Sequence, residues 1–172
     1  QQYKQLLMTA GIDRYYQFAR CLRDEDPRSD RGFEFTQLDI EYAFPESQSW
    51  ILKEAEILLN IAMRKTTQSV EKIFDWRNRW PIFTYAEAME KFGTDKPDIR
   101  TAEEKEAGKI AFCWITDFPM YKRVDKADAA EVADGKSGWT FTHNPFSMPK
   151  VGFVEDHMNG QNLDKILANQ YD

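Results

Sequence analysis

In the stretch GFEFTQLDIEYAF, side chains two residues apart share a face if the chain is extended, and the two faces differ in kind. Phe35, Gln37, Asp39 and Glu41 fall on one face, and Leu38, Ile40, Tyr42 and Phe44 on the other. The first set makes a floor of two carboxylates and an amide, suited to a cationic or hydrogen-bonding ligand. The second is apolar and reads as core. A polar face alone is equally what an antiparallel sheet shows to water. Upstream, YYQFARCLR places Arg23 in phase with Gln17, Ala19 and Cys21, neighbours small or polar enough to leave room for a ligand. An arginine there can fork onto a phosphate or a carboxylate. Phe35 is either a stacking platform for a planar base or an ordinary strand aromatic. Between the two segments, Asp24, Glu25, Asp26, Arg28, Asp30 and Arg31 form a mixed-charge loop; taken singly, each is what a solvated hairpin tip carries. No Ser-His or Cys-His arrangement for nucleophilic catalysis is evident.

These residues need elements to position them. Residues 15–23 and 34–44 read as strands, and one turn-rich loop between them makes an antiparallel hairpin, with a loop longer than the usual two to five residues. Ahead of it, QQYKQLLMTAG has Tyr3, Leu6, Leu7 and Ala10 at helical spacing, with Gly11 placed to close the helix in a left-handed conformation. From Ser47 a long amphipathic helix runs through Trp50, Ile51, Ala55, Ile57, Leu58, Ile61 and Ala62 toward Val70, with Ser47 or Ser49 as N-cap. It is expected to cover one face of the sheet. Thr84 and Glu87 form a capping-box pattern opening a further helix that Gly93 ends. TDKPDIR is then a loop, residues 101–110 a charged, exposed turn, 111–117 a buried strand, and 139–143 its successor. The connection KADAAEVADGKSG is small and polar, as suits a surface segment. A last helix begins near Glu155. This order departs from regular βαβ alternation and predicts an α+β fold, an antiparallel β-sheet flanked by helices.

Composition sets the outer bounds. At 172 residues the chain is the size of one domain of about 100–200 residues, and 42% hydrophobic with 14% aromatic residues supply a core. A formal net charge of −6 argues against a general nucleic-acid coat while allowing a local basic patch. Cys21 and Cys113 follow no metal or disulfide spacing, which favours a reducing compartment. No run reaches the roughly 20 apolar residues of a membrane span, so a cytoplasmic protein with no membrane partner is expected. The chain starts at Gln1 rather than Met, and residues 163–171 still carry apolar periodicity near the end, as in a piece of a longer polypeptide.

The hairpin residues, taken together, carry a likeness. YYQFARCLRDEDPRSDRGFEFTQLDIEYAF resembles motif 2 of the class II aminoacyl-tRNA synthetases, and in detail their bacterial aspartyl family. QQYKQLLMTAGIDR, FGTDKPDIR, WITDFPMY and THNPFSMP resemble that family in the same order, so the likeness spans nearly the whole chain. The resemblance implies activation of L-aspartate with ATP, followed by transfer of aspartate to the acceptor end of tRNA. It matches Arg23 to the catalytic arginine on the α-phosphate of ATP, Glu25 to the reader of the adenine amino group, and Phe35 to the ring beneath adenine. Gln1 and Asp39 match groups that hold the α-ammonium of aspartate, Lys4 the cation facing its side-chain carboxylate, and Gln37 part of the same floor. His143 matches the first histidine of a loop bordering the amino-acid pocket; the chain then has Asn144 where many relatives repeat the histidine. Asp172 matches an acidic position that helps to hold Mg2+ near ATP. Arg28 and Arg31 are the cationic candidates for the tRNA end.

Regions that the family uses for dimerisation and for completing both sites find no counterpart here, nor does its anticodon-binding barrel. The resemblance therefore makes residues 1–172 a partial catalytic domain, inactive alone, from a homodimer that pairs through other regions. Bacterial members carry an inserted domain between the GTDKPDIR-like and DFP-like segments; here residues 101–110 form a shortened connection instead. Two other readings remain open at this stage: a paralogue that passes activated aspartate to ammonia, and a non-catalytic interaction module on the same scaffold. The retained Arg23, Lys4 and Asp39 weigh against the second.

Overall fold

The structure is a computed structural model that describes residues 2–24, 32–66, 79–124, 138–143 and 146–172. The chain divides into two compact units, Gln1–Glu54 and Ala55–Asp172.

In the first unit, helix α1 (Gln2–Thr9) ends at Gly11, whose φ of 91° lies in the left-handed region. Its amide donates to the Met8 carbonyl at 3.1 Å, and that of Ile12 to Leu7 at 3.1 Å. Strands β1 (Arg14–Leu22) and β2 (Glu34–Tyr42) pair antiparallel, from Arg14 opposite Tyr42 to Leu22 opposite Glu34. Bonds from Arg23 N to Phe33 O and from Ala43 N to Asp13 O, both 2.9 Å, prolong the ladder at its two ends. Helix α2 (Gln48–Thr66) opens in this unit and continues into the second. Of its two candidate caps, Ser47 is the one used, its Oγ accepting from Trp50 N at 3.2 Å. The reach from residue 66 to Val70 lies outside the described residues.

One expectation is corrected here. The apolar face of the hairpin is not a closed core, because Tyr16, Phe18 and Leu22 are 68%, 71% and 77% exposed and Leu38 is 46% exposed. Alternation identifies which side chains share a face, but burial depends on what packs against that face.

In the second unit, β3 (Ile82–Thr84) pairs with β4 (Trp114–Thr116) in parallel. Between them lie α3 (Tyr85–Phe92) and α4 (Ala102–Glu106). Thr84 and Glu87 close the predicted capping box, and Gly93 caps the helix end at φ 72°. The segment expected as an exposed turn at 101–110 is α4, which has a capping box of its own from Thr101 and Glu104. Arg100 sits at the root of this segment, its Nε and Nη2 on the two oxygens of Asp98 at 2.8 Å and its Nη1 on Lys109 O at 2.9 Å. The Arg100 fork holds the Asp98 carboxyl well below the usual carboxylate range.

Residues 139–143, expected as the strand that succeeds 111–117, hold β6 (Trp139–Phe141), which pairs antiparallel with β5 (Tyr121–Arg123), a strand too short to show any alternation. Within residues 163–171 a turn, closed by Lys165 N donating to Asn162 O at 2.8 Å, leads to isolated bridges: Leu167, Ala168 and Tyr171 pair with Pro119, Pro149 and Thr116. A 3₁₀ turn, Val151–Phe153, leads into α5 (Val154–Asn159).

Two small cores hold the unit. Ala88, Ile115 and Phe118 form one, with Phe83, Tyr85, Phe92 and Cys113 around them; Met120, Ile166 and Ala168 form the other. Beside them the buried Glu56 accepts from the Trp114 indole at 3.0 Å and pairs with Arg79 Nε at 2.7 Å, so the charge is not left bare. Among the described residues no helix is long and apolar enough to cross a membrane.

Since Thr84 satisfies the Glu87 amide at the start of α3, Thr84→Ala is expected to cost about 1 kcal/mol. Urea unfolding should show a lower midpoint for Thr84→Ala and a smaller loss for Thr84→Ser.

Candidate active site

The hairpin register brings the two polar faces read from the sequence onto one surface. Tyr15 lies opposite Glu41, Gln17 opposite Asp39, Ala19 opposite Gln37, and Cys21 opposite Phe35. At about 3.4 Å per residue, Phe35 and Asp39 are about 14 Å apart along β2. The surface thus has an aromatic and cationic end and a carboxylate end.

At the first end, the Arg23 guanidinium lies over the Phe35 ring, 5.1 Å from its centroid, a favourable cation–π distance. Arg23 is exposed, and its backbone is fixed by the bond to Phe33. Cys21 Sγ donates to Gln37 Oε1 at 3.5 Å, a weak contact between the two strands.

At the other end, Lys4 reaches across from α1. Its Nζ lies 2.9 Å from Asp39 Oδ2 and 2.8 Å from Glu41 Oε1, while Gln17 Nε2 donates to Asp39 Oδ2 at 3.1 Å. The Lys4 and Asp39 side chains are only 20% and 18% exposed. The Glu41 hydrogen bond raises the Lys4 pKa most; burial opposes it and Asp39 adds to it. For Asp39, desolvation is the largest single influence and pushes the pKa up, but the bonds from Lys4 and Gln17 together with the Lys4 charge outweigh it and hold the carboxyl below its ordinary value. Both groups are therefore charged at neutral pH. An ammonium has three donors, so Lys4, with Asp39 and Glu41 as acceptors, has capacity for one more. Asp39 likewise keeps lone pairs for an incoming cation. The arrangement can receive a small zwitterion at one end and a planar anionic group at the other.

Of the site residues read from the sequence, the structure brings together Lys4 and Asp39, and Arg23 and Phe35, with Gln37 on the same surface. Gln1, Glu25, Arg28 and Arg31 lie outside the described residues. His143 and Asp172 belong to the second unit. There the His143 ring meets the Phe118 ring edge to face at 4.8 Å, and the Asp172 backbone pairs in both directions with Ile115, at 2.9 and 3.0 Å. Gln17 carries a part that the sequence reading did not assign, and Glu41, there one carboxylate of the floor, serves as a partner of Lys4. Their phase with Asp39 was visible; their contacts to Lys4 and Asp39 required the register and the reach of α1.

Residues 1–172, the whole chain, match the family of class II tRNA synthetases (D, K and N), and the chain belongs to that family. It is 52% identical over 104 residues to an aspartate–tRNA(Asp/Asn) ligase of Caldanaerobacter subterraneus subsp. tengcongensis, covering 59% of this chain and 16% of that protein. It is 52% identical over 99 residues to an aspartate–tRNA ligase of Amoebophilus asiaticus, covering 57% and 16%. It is also 46% identical over 136 residues to an aspartate–tRNA ligase of Xanthomonas oryzae pv. oryzae, covering 79% and 21%. The matched stretch is thus about a fifth or less of each relative's length.

The charge cluster sets a pH window. Asp39 has a folded pKa below its unfolded one, so its contribution is present above the unfolded value and lost as pH falls through the folded value. Lys4 has a folded pKa above its unfolded one, so its contribution is present below the unfolded value and lost as pH rises through the folded value. The stability difference between the unsubstituted chain and Lys4→Met is therefore expected to be full between about pH 4 and pH 10 and to shrink on either side. Urea midpoints of both proteins from acid to alkali check this; a gap independent of pH would count against the ion pairs.

Proposed function

We propose that this chain is the central part of the catalytic domain of an aspartate–tRNA ligase, which activates L-aspartate with ATP and passes it to the 3′ end of tRNA(Asp). The observation that carries the reading is the Lys4–Asp39–Glu41 cluster at one end of a hairpin face that carries Arg23 and Phe35 at its other end. A dicarboxylic amino acid needs a cation for its side chain and an anion for its ammonium, and Lys4 and Asp39 supply them. Gln1 joins Asp39 at the ammonium, Gln37 lines the floor, and His143 borders the pocket. Phe35 stacks on adenine, whose amino group Glu25 reads.

In the first step the α-carboxylate of aspartate attacks the α-phosphorus of ATP. The new O–P bond replaces the bond to the β-phosphate oxygen, and pyrophosphate leaves with that electron pair. Arg23 stabilises the negative charge gathering on the α-phosphate oxygens. In the second step the terminal ribose hydroxyl of tRNA attacks the activated carbonyl, gives up its proton, and AMP leaves. Positioning and charge stabilisation suffice, with no protein nucleophile. Arg28 and Arg31 meet the acceptor end of tRNA.

ATP enters as a substrate. Among the described residues no three His, Cys, Asp or Glu side chains gather into a cation site; Mg2+ beside a nucleotide takes one or two carboxylates together with the phosphates, so Asp172 would be one such ligand, and no step is assigned to the ion. The connection at 101–110 is read as the place of the inserted domain of bacterial relatives. The Arg100 bond to Lys109 O at 2.9 Å, which holds the two ends of this segment together, supports that reading, because insertions are tolerated where the ends are adjacent. A cytoplasmic homodimer completes the proposal.

Amino-acid-dependent ATP–pyrophosphate exchange tests it, using the full-length enzyme that carries this sequence. Exchange is expected with aspartate and not with asparagine or lysine. Arg23→Ala should lower it by about 100- to 1,000-fold, and Lys4→Met should raise the KM for aspartate by about ten-fold or more. Residues 1–172 alone should show none. A folded full-length dimer that exchanges with none of the three amino acids would sink the reading in favour of a non-catalytic module.

A further inference from the structure

The second unit contains a strained residue that none of the roles above uses. Asp117 directly follows β4 and has φ 60°, in the left-handed region that a side chain with a Cβ disfavours and that Asp and Asn tolerate best. Such outliers persist where the surroundings over-determine them, and they concentrate at functional sites. The Asp117 carboxylate accepts from the Lys150 ammonium. The next residue, Phe118, is fully buried and touches two rings, Tyr85 at 5.3 Å and His143 at 4.8 Å. Its carbonyl accepts from Ala168 N at 2.9 Å, so ring and backbone are both fixed.

His143 lies on the segment that leaves β6 and arrives at Lys150. At its start, Thr142 N donates to Met120 O at 3.0 Å; at its end, Lys150 N donates to Leu167 O at 2.8 Å while the Lys150 side chain binds Asp117. Both ends of the segment are thus fastened at the 117–120 stretch or at the strand-like segment beside it. The imidazole stands edge-on to Phe118, while His143 as a residue stays exposed. A partly exposed ion pair adds little stability by itself, so a geometric role accounts for it better than a stabilising one.

We propose that Asp117 and Lys150 are positioning residues for His143, acting through Phe118: the left-handed turn at Asp117 sets the Phe118 ring, and the ion pair holds the histidine-bearing segment against it. The functional consequence rests on the reading of His143 as a border of the aspartate pocket.

The chain has two histidines, His143 and His157, and the second, whose Nδ1 is 2.8 Å from the Tyr121 hydroxyl, is an internal reference. In imidazole carbon–proton NMR spectra of the 172-residue chain, the His143 ring protons should be displaced by the Phe118 ring current. In Lys150→Met and in Asp117→Asn, which still tolerates the backbone, at least half of that displacement should vanish while the His157 signals stay in place. Lys150→Arg should restore it. In the full-length enzyme, the same two substitutions should raise the KM for aspartate about ten-fold with kcat and the KM for ATP nearly unchanged, and Lys150→Arg should again rescue. Unmoved His143 signals in both variants, with His157 confirming the fold, would overturn the positioning role. His143 signals released with no change in the aspartate KM would support the positioning and overturn the aspartate-pocket reading of His143.

Discussion

A slip of one residue between β1 and β2 would turn Gln17 away from Asp39 and send Arg23 to the face opposite Phe35. Everything proposed for the first unit depends on that register. Nine residue pairs set it, the bonds at Arg23 and Ala43 extend it beyond the strands, and Lys4 adds a lock from outside the ladder, because from α1 it reaches the two carboxylates only while both lie on the face that carries Gln17. A flat hairpin with two polar faces specifies register poorly. Here one face carries Tyr16, Phe18, Leu38 and Ile40 and the other Gln17, Asp39 and Glu41, so the two registers differ in both hydrophobic and electrostatic terms.

The cluster has a second constraint. Asp39 and Glu41 are neighbours on one face, and two carboxylates so placed repel and favour neutralisation of one of them. Lys4 offsets this by lying within 3 Å of both, and Gln17 gives Asp39 a neutral donor in addition. The helix that delivers Lys4 ends at Gly11, where a left-handed turn lets the chain enter β1 within three residues. A glycine that punctuates a helix is thus coupled to the ionisation state of the site.

How much of this could be read in advance follows from the range of the interactions. The capping box at Thr84 and Glu87, the stop at Gly93 and the helix closed by Gly11 are set by neighbours within a few residues, and each stands as expected. The face shared by Phe35, Gln37 and Asp39 follows from period two and needed only an extended chain. Lys4, by contrast, looked like any lysine on a surface helix; its partners are 35 and 37 residues away, and only the family likeness singled it out. Strands of three residues, such as β5 and β4, are shorter than any period can reveal, so the pairing of β6 with β5 and the parallel β3–β4 pair were out of reach. The apolar residues of 163–171 fit helical and extended spacing alike, and the bridges to Pro119, Pro149 and Thr116 decide between them. Exposure of the apolar hairpin face is the furthest from legible, since alternation says nothing of what lies above a face.

On the aspartate-activating reading, the same electrostatics bear on selectivity within a family whose members serve aspartate, lysine and asparagine. A lysine substrate would bring an ammonium against Lys4, and two like charges at about 4 Å interact by about 1 kcal/mol in a water-like medium and about 4 kcal/mol at the effective dielectric of a protein surface. That range corresponds to about five-fold to nearly a thousand-fold in binding, and the 20% exposure of the Lys4 side chain favours the upper part of it. Asparagine is a harder case, because its amide oxygen can still accept from Lys4 and only the charge is lost. The contrast then rests on charge at the remaining donor of Lys4: a side-chain carboxylate there makes a charge-assisted bond, whereas a neutral amide oxygen makes a weaker one. The difference between a charge-assisted and a neutral hydrogen bond, made to a lysine side chain that is only 20% exposed, is then what separates aspartate from asparagine at this position.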